Sequence, residues 1–282
     1  MYLHIPNNLP HKLAGKYLQI HHAIYGLQES NRLFSLEMTR VILSAGFVSC
    51  PSEPQQFILC DSVDPGLKCI ASVTVDDVLI VTNHIPFRSL LLAALAHRFG
   101  PLTINLESKM HTGIEMTRFA NGAIRLTQDA AIARAASLIG VSTLPPVPVP
   151  ANLDTFFLPS FVGPESQVVS PTAYSSVTGS LVHFLKTRSD VHLLVSYLCS
   201  YNHAPLEGHF RRALHVLRYL ASTPGVGPVF HSTSLDLAVY SDSAYGVFRT
   251  GYSSSAHLFC IGLTMLLSLL LQSLSMTSQP AP

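Results

Sequence analysis

Apolar residues recur at Leu33, Leu36, Val41 and Leu43, and Gly46 follows them as a C-cap, so the spacing predicts a helix over residues 32–45. The runs 57–59 and 69–80 are rich in β-branched residues and flank Asp64-Pro65-Gly66, which reads as two strands of a hairpin. Helical spacing returns over 90–99. Residues 111–117 and 123–127, separated by Asn121-Gly122, carry the strongest hairpin signal in the chain. Farther along, 174–186, 191–201 and 209–221 read as three helices, the last amphipathic, and 235–240 reads as a strand running into Asp242. The class this order predicts is α+β.

Punctuation divides the pattern. Pro145, Pro146, Pro148 and Pro150, followed by Pro159, Pro164 and Pro171, predict a long non-helical connection and a boundary. Composition narrows the class further. The 282 residues suggest roughly two domains. Only 12% are charged, against roughly 25% for a soluble domain, while 48% are hydrophobic, which excludes a disordered or highly charged tail protein. A formal charge of +1 gives no bulk electrostatic case for nucleic acid or an anionic membrane, so any such case rests on motifs. Five widely spaced cysteines with no C-x-x-C pair indicate neither a disulfide framework nor a zinc site. A reducing, intracellular setting is expected, cytoplasmic or nuclear and not secreted. After Arg249 no charged residue occurs, and residues 258–274 form an apolar run slightly short of the roughly 20 that a spanning helix needs.

The run Val73-Thr74-Val75-Asp76-Asp77-Val78-Leu79-Ile80-Val81 carries the most chemical information. An ordinary buried strand tolerates neither carboxylate, because an unpaired buried charge costs several kcal/mol, so the chain must turn there. Hard oxygen ligands in that arrangement suit Mg²⁺; the competing reading is a plain turn that happens to use Asp-Asp. Fourteen histidines invite a metal reading, yet His203, His209 and His215 recur at six-residue intervals and His21-His22 has no carboxylate or cysteine nearby. Arg211, His215 and Arg218 fall on one stripe of the last helix, either a solvated face or a surface for phosphates. Asp236 reads as a turn residue at the entry of the strand that carries Asp242. No G-x-S-x-G elbow and no phosphate-binding glycine loop is present.

Several segments match, in order, the motifs of one family. Tyr17-Leu18-x-Ile20-x-x-Ala23-Ile24-Tyr25-Gly26-Leu27 resembles "KLxKALYGLKQAPRxW" of copia-type retrotransposon reverse transcriptases, and Thr74-Val75-Asp76-Asp77-Val78-Leu79-Ile80 is similar to their "YVDDLLI" box. His111-Thr112-Gly113-Ile114-Glu115-Met116 resembles "FLGIEI", and residues 122–128 resemble "GxIxLSQ". Tyr174-x-Ser176-Val177-x-Gly179-Ser180-Leu181 is similar to "YxSxVGSLMY", Thr187-Arg188-Ser189-Asp190-Val191 to "TRPDI", and residues 209–223 to "HxxAxxRxLRYLxGT". Tyr240-Ser241-Asp242-Ser243-Ala244-Tyr245-Gly246 resembles "YSDADWAG", which opens the family's ribonuclease H domain, and residues 253–256 resemble its "STSG". The collinear match spans roughly residues 2–262.

The resemblance implies a reverse-transcriptase palm with partial fingers and the start of a thumb over 1–144, and a proline-rich connection over 145–172. A helical thumb or connection over 173–232 and a truncated ribonuclease H-like start over 233–262 would follow, then a divergent apolar tail over 263–282. It implies RNA-directed DNA synthesis by two-metal phosphoryl transfer, with RNA template and DNA primer as partners and Mg²⁺ as cofactor. Asp76 would bind metal directly with Asp77 beside it, Asp242 would be the first ribonuclease H ligand, and Arg211, His215 and Arg218 would meet template-primer phosphates. The departures matter as well. The family's first polymerase carboxylate belongs to a segment upstream of the stretch that Tyr2-Leu3-His4-Ile5-Pro6 resembles, Thr74 replaces an aromatic, Glu29 stands where the family has Gln, and residues 263–282 hold no acid. The expectation is a fragment with two incomplete active sites and no activity alone. The second reading is a non-catalytic binding protein, or one anchored in a membrane by residues 258–274; the family match through residues 259–262 favours an interrupted ribonuclease H strand over a membrane helix, so a membrane partner is not expected.

Overall fold

A computed structural model of the chain describes residues 2–5, 7, 12, 15–19, 29–106, 109–157, 161–231, 237–244, 252–261 and 264–274. The chain divides into two compact units, 1–107 and 108–282. The mixed α+β class holds in both.

In the first unit, the short strands β1 (Tyr2–His4) and β2 (Tyr17–Gln19) pair antiparallel. Helix α1 (Ser30–Ser44) leads into an antiparallel four-stranded meander of β3 (Val48–Cys50), β4 (Glu53–Cys60), β5 (Lys68–Thr74) and β6 (Asp77–Thr82), and α2 (Ile85–Phe99) follows. Along β5 burial alternates residue by residue, with Cys69, Ala71 and Val73 inward and Lys68, Ile70 and Thr74 outward, as a half-buried strand requires. That inner face, with Phe57 of β4, packs against Met38, Val41 and Ile42 of α1 and Leu91 and Leu95 of α2. Helix α2 begins a turn earlier than its apolar spacing predicts. Pro86 sits in the first turn, where its missing N–H costs nothing.

The second unit opens with an antiparallel sheet of β7 (Met110–His111), β8 (Ile114–Arg118) and β9 (Ile124–Thr127), which β10 (Val229–Phe230) joins beside β9. The Asn121-Gly122 turn is present, with Gly122 at φ 84° and the Asn121 side chain accepting the Ala123 N–H at 3.1 Å. Helices α3 (Asp129–Ile139), α5 (Pro171–Phe184), α6 (His192–Cys199) and α7 (Glu207–Ser222), with the single turn α4 (Leu153–Phe156), share one core around Tyr174, Leu181, Leu198 and Leu217. A last antiparallel sheet runs β11 (Leu237–Ala244), β12 (Tyr252–Ile261), β13 (Thr264–Leu274).

Three features set how these elements are joined. The division falls between 107 and 108, ahead of the proline run, because α3 and Val141 pack into the same core as α5 and α7. The run itself is tied onto α7: the Val147 N–H bonds to the Ser222 hydroxyl at 3.1 Å, and the Pro145 carbonyl accepts from Arg218 at 2.6 Å. It works as a strap within one unit. The apolar run 258–274 contributes to the two paired strands β12 and β13, and antiparallel pairing satisfies the backbone groups of both halves. Among the described residues no helix is long and apolar enough to cross a membrane. The predicted strand at 235–240 appears as β11, shifted toward Asp242; Asp236 lies outside the described residues.

Candidate active site

The paired carboxylates stand at the tip of the β5–β6 hairpin. Thr74 pairs with Asp77, so the loop is only Val75-Asp76. Val75 has φ 57° and Asp76 does not share a positive φ, the pattern of a type II′ turn. Such turns normally put glycine first, and a β-branched side chain in the left-handed region is held there at a cost of about 1–3 kcal/mol. The strain comes with a defined presentation: Val75, Asp76 and Asp77 are all exposed, beyond the last buried residue of β5, Val73. Neither carboxylate has a hydrogen-bond or ion-pair partner among the described residues. Outward from the core, β5 and β6 thus deliver two anionic oxygen groups to solvent on a two-residue turn.

The donor chemistry suits a hard divalent cation, but the donor number does not complete a site. Among the described residues no group of three or more His, Cys, Asp or Glu could hold a metal ion. Asp242 lies in the other unit, in mid-strand on β11 opposite Ala256, exposed, with its own carboxylate accepting the Ser243 N–H at 2.9 Å. Asp76 and Asp77 are neighbours in the first unit, and Asp242 belongs to the second. No reaction step through a metal is derived from them. His21 and His22 lie outside the described residues, as do residues 20–28 of the motif that precedes Glu29. Glu29 itself is exposed and accepts from Arg32 at 2.9 Å.

The cationic stripe of α7 is engaged by the chain itself. Arg211 donates to Glu207 at 2.9 Å and lies 3.8 Å from Glu165; the His215 ring nitrogen Nε2 lies 3.1 Å from the Val149 carbonyl; Arg218 holds the Pro145 carbonyl. Two of the three therefore fasten the proline strap.

Other motif residues turn inward too, and spacing alone gave no sign of it. Arg188 is 1% exposed. Its guanidinium forks onto both oxygens of Asp190 at 2.9 and 2.8 Å, and also reaches the Thr223 carbonyl and hydroxyl at 3.2 and 2.9 Å. The Tyr219 hydroxyl donates to Asp190 at 3.0 Å, and Arg188 stands over the Tyr219 ring. Burial pushes the Asp190 carboxyl up, but the Arg188 and Tyr219 hydrogen bonds and the Arg188 charge outweigh it, and the net shift is down. Glu115 accepts from the Ala130 N–H at 2.8 Å, near the start of α3, where a carboxylate meets unpaired N–H groups. His209 accepts the Leu206 N–H at 3.1 Å and stacks on Tyr201, 3.8 Å between ring centroids. Burial, helped by the Arg212 charge, pushes its pKa down to about 4.

No family model and no solved structure matches the chain. Among curated proteins it is 31% identical over 238 residues to the retrovirus-related Pol polyprotein from transposon RE2 of Arabidopsis thaliana, a match covering 83% of the chain and 16% of that polyprotein. It is 30% identical over 237 residues to the corresponding polyprotein from transposon RE1, covering 83% of the chain and 15% of the relative. A transposon Ty5-1 protein of Saccharomyces cerevisiae is 26% identical over 234 residues, covering 82% of the chain and 73% of that protein. The chain thus spans about a sixth of the plant relatives' length.

Proposed function

We propose, from the premise that this chain is related to the Pol polyproteins of copia-type retrotransposons, that it is a segment of their RNA-directed DNA polymerase. In this reading the first unit is the palm with partial fingers, the helices of the second are thumb and connection, and β11 opens a ribonuclease H-like fold. Asp76 and Asp77 are the polymerase carboxylates. The observation that carries the reading is the β5–β6 tip, where the two acids are held exposed on a strained two-residue turn above a sheet backed by two helices. A divalent ion held by such carboxylates would supply charge stabilisation at a phosphoryl centre. The chain's own part is to hold the two carboxylates side by side at the tip of the β5–β6 hairpin.

Two acids are fewer than a two-metal clamp requires, so this chain alone is not expected to polymerise DNA. It retains salt-dependent affinity for its nucleic-acid partner, a primed RNA template. The test pairs two measurements on the purified chain with Mg²⁺: retention of an RNA–DNA primer-template and incorporation of labelled nucleotide. The expected result is binding that weakens with salt, without extension. Extension abolished by Asp76→Ala would overturn the inactivity, and absence of primer-template binding at low salt would overturn the polymerase reading.

A further inference from the structure

Helix α7 buries Ala213, Val216 and Leu217 in the core, and the proline strap lies across two of its half-buried side chains, His215 and Arg218. Both attachments are to neutral groups. The Pro145 carbonyl accepts from Arg218 at 2.6 Å and the Val149 carbonyl lies 3.1 Å from the His215 ring, while residues 141–152 hold no charged side chain. The strap therefore covers the positive charge of α7 without cancelling it. It also leaves Arg218 incompletely paired: the guanidinium Nε is buried with no hydrogen-bond partner among the described residues. A buried donor on a charged group is costly without an acceptor, and a second, negatively charged acceptor would remove that cost. Arg211, the third member of the stripe, shows the contrast, since Glu207 and Glu165 already meet it with carboxylates.

The strap is built to come away. Four of residues 145–150 are prolines with no N–H to give, and what this stretch donates to α7 is one backbone N–H, from Val147 to the Ser222 hydroxyl at 3.1 Å. The buried residues Val141 and Phe156 anchor it at either end; none of residues 142–152 is buried, and Val149 is 53% exposed. Lifting the middle of the strap thus uncovers Arg218 and His215 and opens no part of the core. A phosphodiester carries a full negative charge on two free oxygens, so it can take Nε and a terminal N–H of one guanidinium together, whereas the Pro145 carbonyl takes only a terminal one. We propose that residues 145–149 are an autoinhibitory cover on α7, displaced from Arg218 and His215 by the phosphodiester backbone of a nucleic acid. The cover rests on the polymerase reading for its ligand alone.

The test uses the full chain at neutral pH and low salt, with an RNA–DNA primer-template as ligand. Hydrogen exchange at the Val147 amide, followed by NMR, should accelerate at least about tenfold on saturation. Val147→Pro and Ser222→Ala each delete the same tie and leave every cation of α7 in place. Both should tighten primer-template binding about two- to ten-fold, since the open face is populated more of the time. Arg218→Gln frees the strap too but removes the phosphate's partner, so it should weaken binding about three- to ten-fold and lower the salt slope by about one. Binding by the native chain with Val147 exchange unmoved, or with both tie variants at native affinity, would overturn the cover and leave the polymerase reading standing. So would an Arg218→Gln chain that binds as tightly as the tie variants, which would make Arg218 a fastener and nothing more. Acceleration by inorganic phosphate alone would likewise overturn it, assigning the face to a small anion. Absence of binding by the native chain and by both tie variants would bring down the polymerase reading, and the cover with it.

Discussion

The β5–β6 tip and the Arg188–Asp190 clamp each hold motif residues with charged side chains, yet they spend them in opposite ways. At the tip, Asp76 and Asp77 face solvent without partners, on a turn whose first residue, Val75, has a strained positive φ. In the clamp, every polar atom of a nearly buried guanidinium is paired, and the last turn of α7 is fastened to the turn before α6. A carboxylate kept for chemistry must remain unsatisfied until its ligand arrives, whereas one kept for folding is satisfied by the fold. Satisfaction, more than residue type, separates the two regions.

The sharpest way to break this contrast is to remove the clamp's cation. Arg188→Met leaves Asp190 half-buried without its fork and should cost about 3 kcal/mol, read from urea denaturation, with loss of the α7 contact to Thr223. A cost under about 1 kcal/mol would mean that the fork holds nothing together.

Acid should also act on the second unit before the first. His209 is buried, and its pKa in the fold is about 4 against an ordinary value near 6.5. Below about pH 6.5 the unfolded chain takes up a proton that the folded chain refuses until about pH 4, so stability is full above that window and falls through it. By pH 5 the loss is about 2 kcal/mol. Denaturation midpoints at pH 7 and 5 measure it, and His209→Gln should flatten the dependence.

Much of the tip was legible in the residues. Two carboxylates in a β-branched run demanded a turn, and the turn lies between Thr74 and Asp77. The Asn121-Gly122 hairpin was equally plain, because it needs a glycine with positive φ at that position. What the sequence hid was long-range or strained. Nothing local shows that Val75 adopts φ 57°, since β-branched residues normally avoid that region. Proline residues at 145–150 announce a connection, but only the tertiary fold shows Pro145 bonded to Arg218 and Val147 to Ser222, more than seventy residues away. The same long reach turned a stripe that looked ready for phosphates into a fastening. Arg188 and Asp190, two residues apart, gave no sign of a buried fork whose other partners are Tyr219 and Thr223.

Relieving the tip tests the strained side of the comparison. Val75→Gly removes a β-branched side chain from the left-handed region and should stabilise the first unit by about 1 kcal/mol, the gain being reduced by glycine's larger unfolded entropy. A destabilising effect in thermal denaturation would show that Val75 packs instead of merely being held.

Asp76→Asn makes the smallest change expected and isolates the principle. The side chain is exposed and unpartnered, so deleting its charge should move stability by no more than about 0.5 kcal/mol. Relief of repulsion with adjacent Asp77 would favour a slight gain. If the tip is a folding element like the clamp, the same substitution must instead cost stability, because some group would lose its partner. If it is a chemical element, the loss appears only when the chain meets a divalent ion: Mn²⁺ should broaden the amide signals around residues 74–78 in the native chain and leave them sharp in Asp76→Asn. A stability-neutral variant with lost Mn²⁺ broadening fits unsatisfied carboxylates kept for a ligand. A destabilised variant, or broadening that persists, would place the tip with the clamp among structural uses of charge.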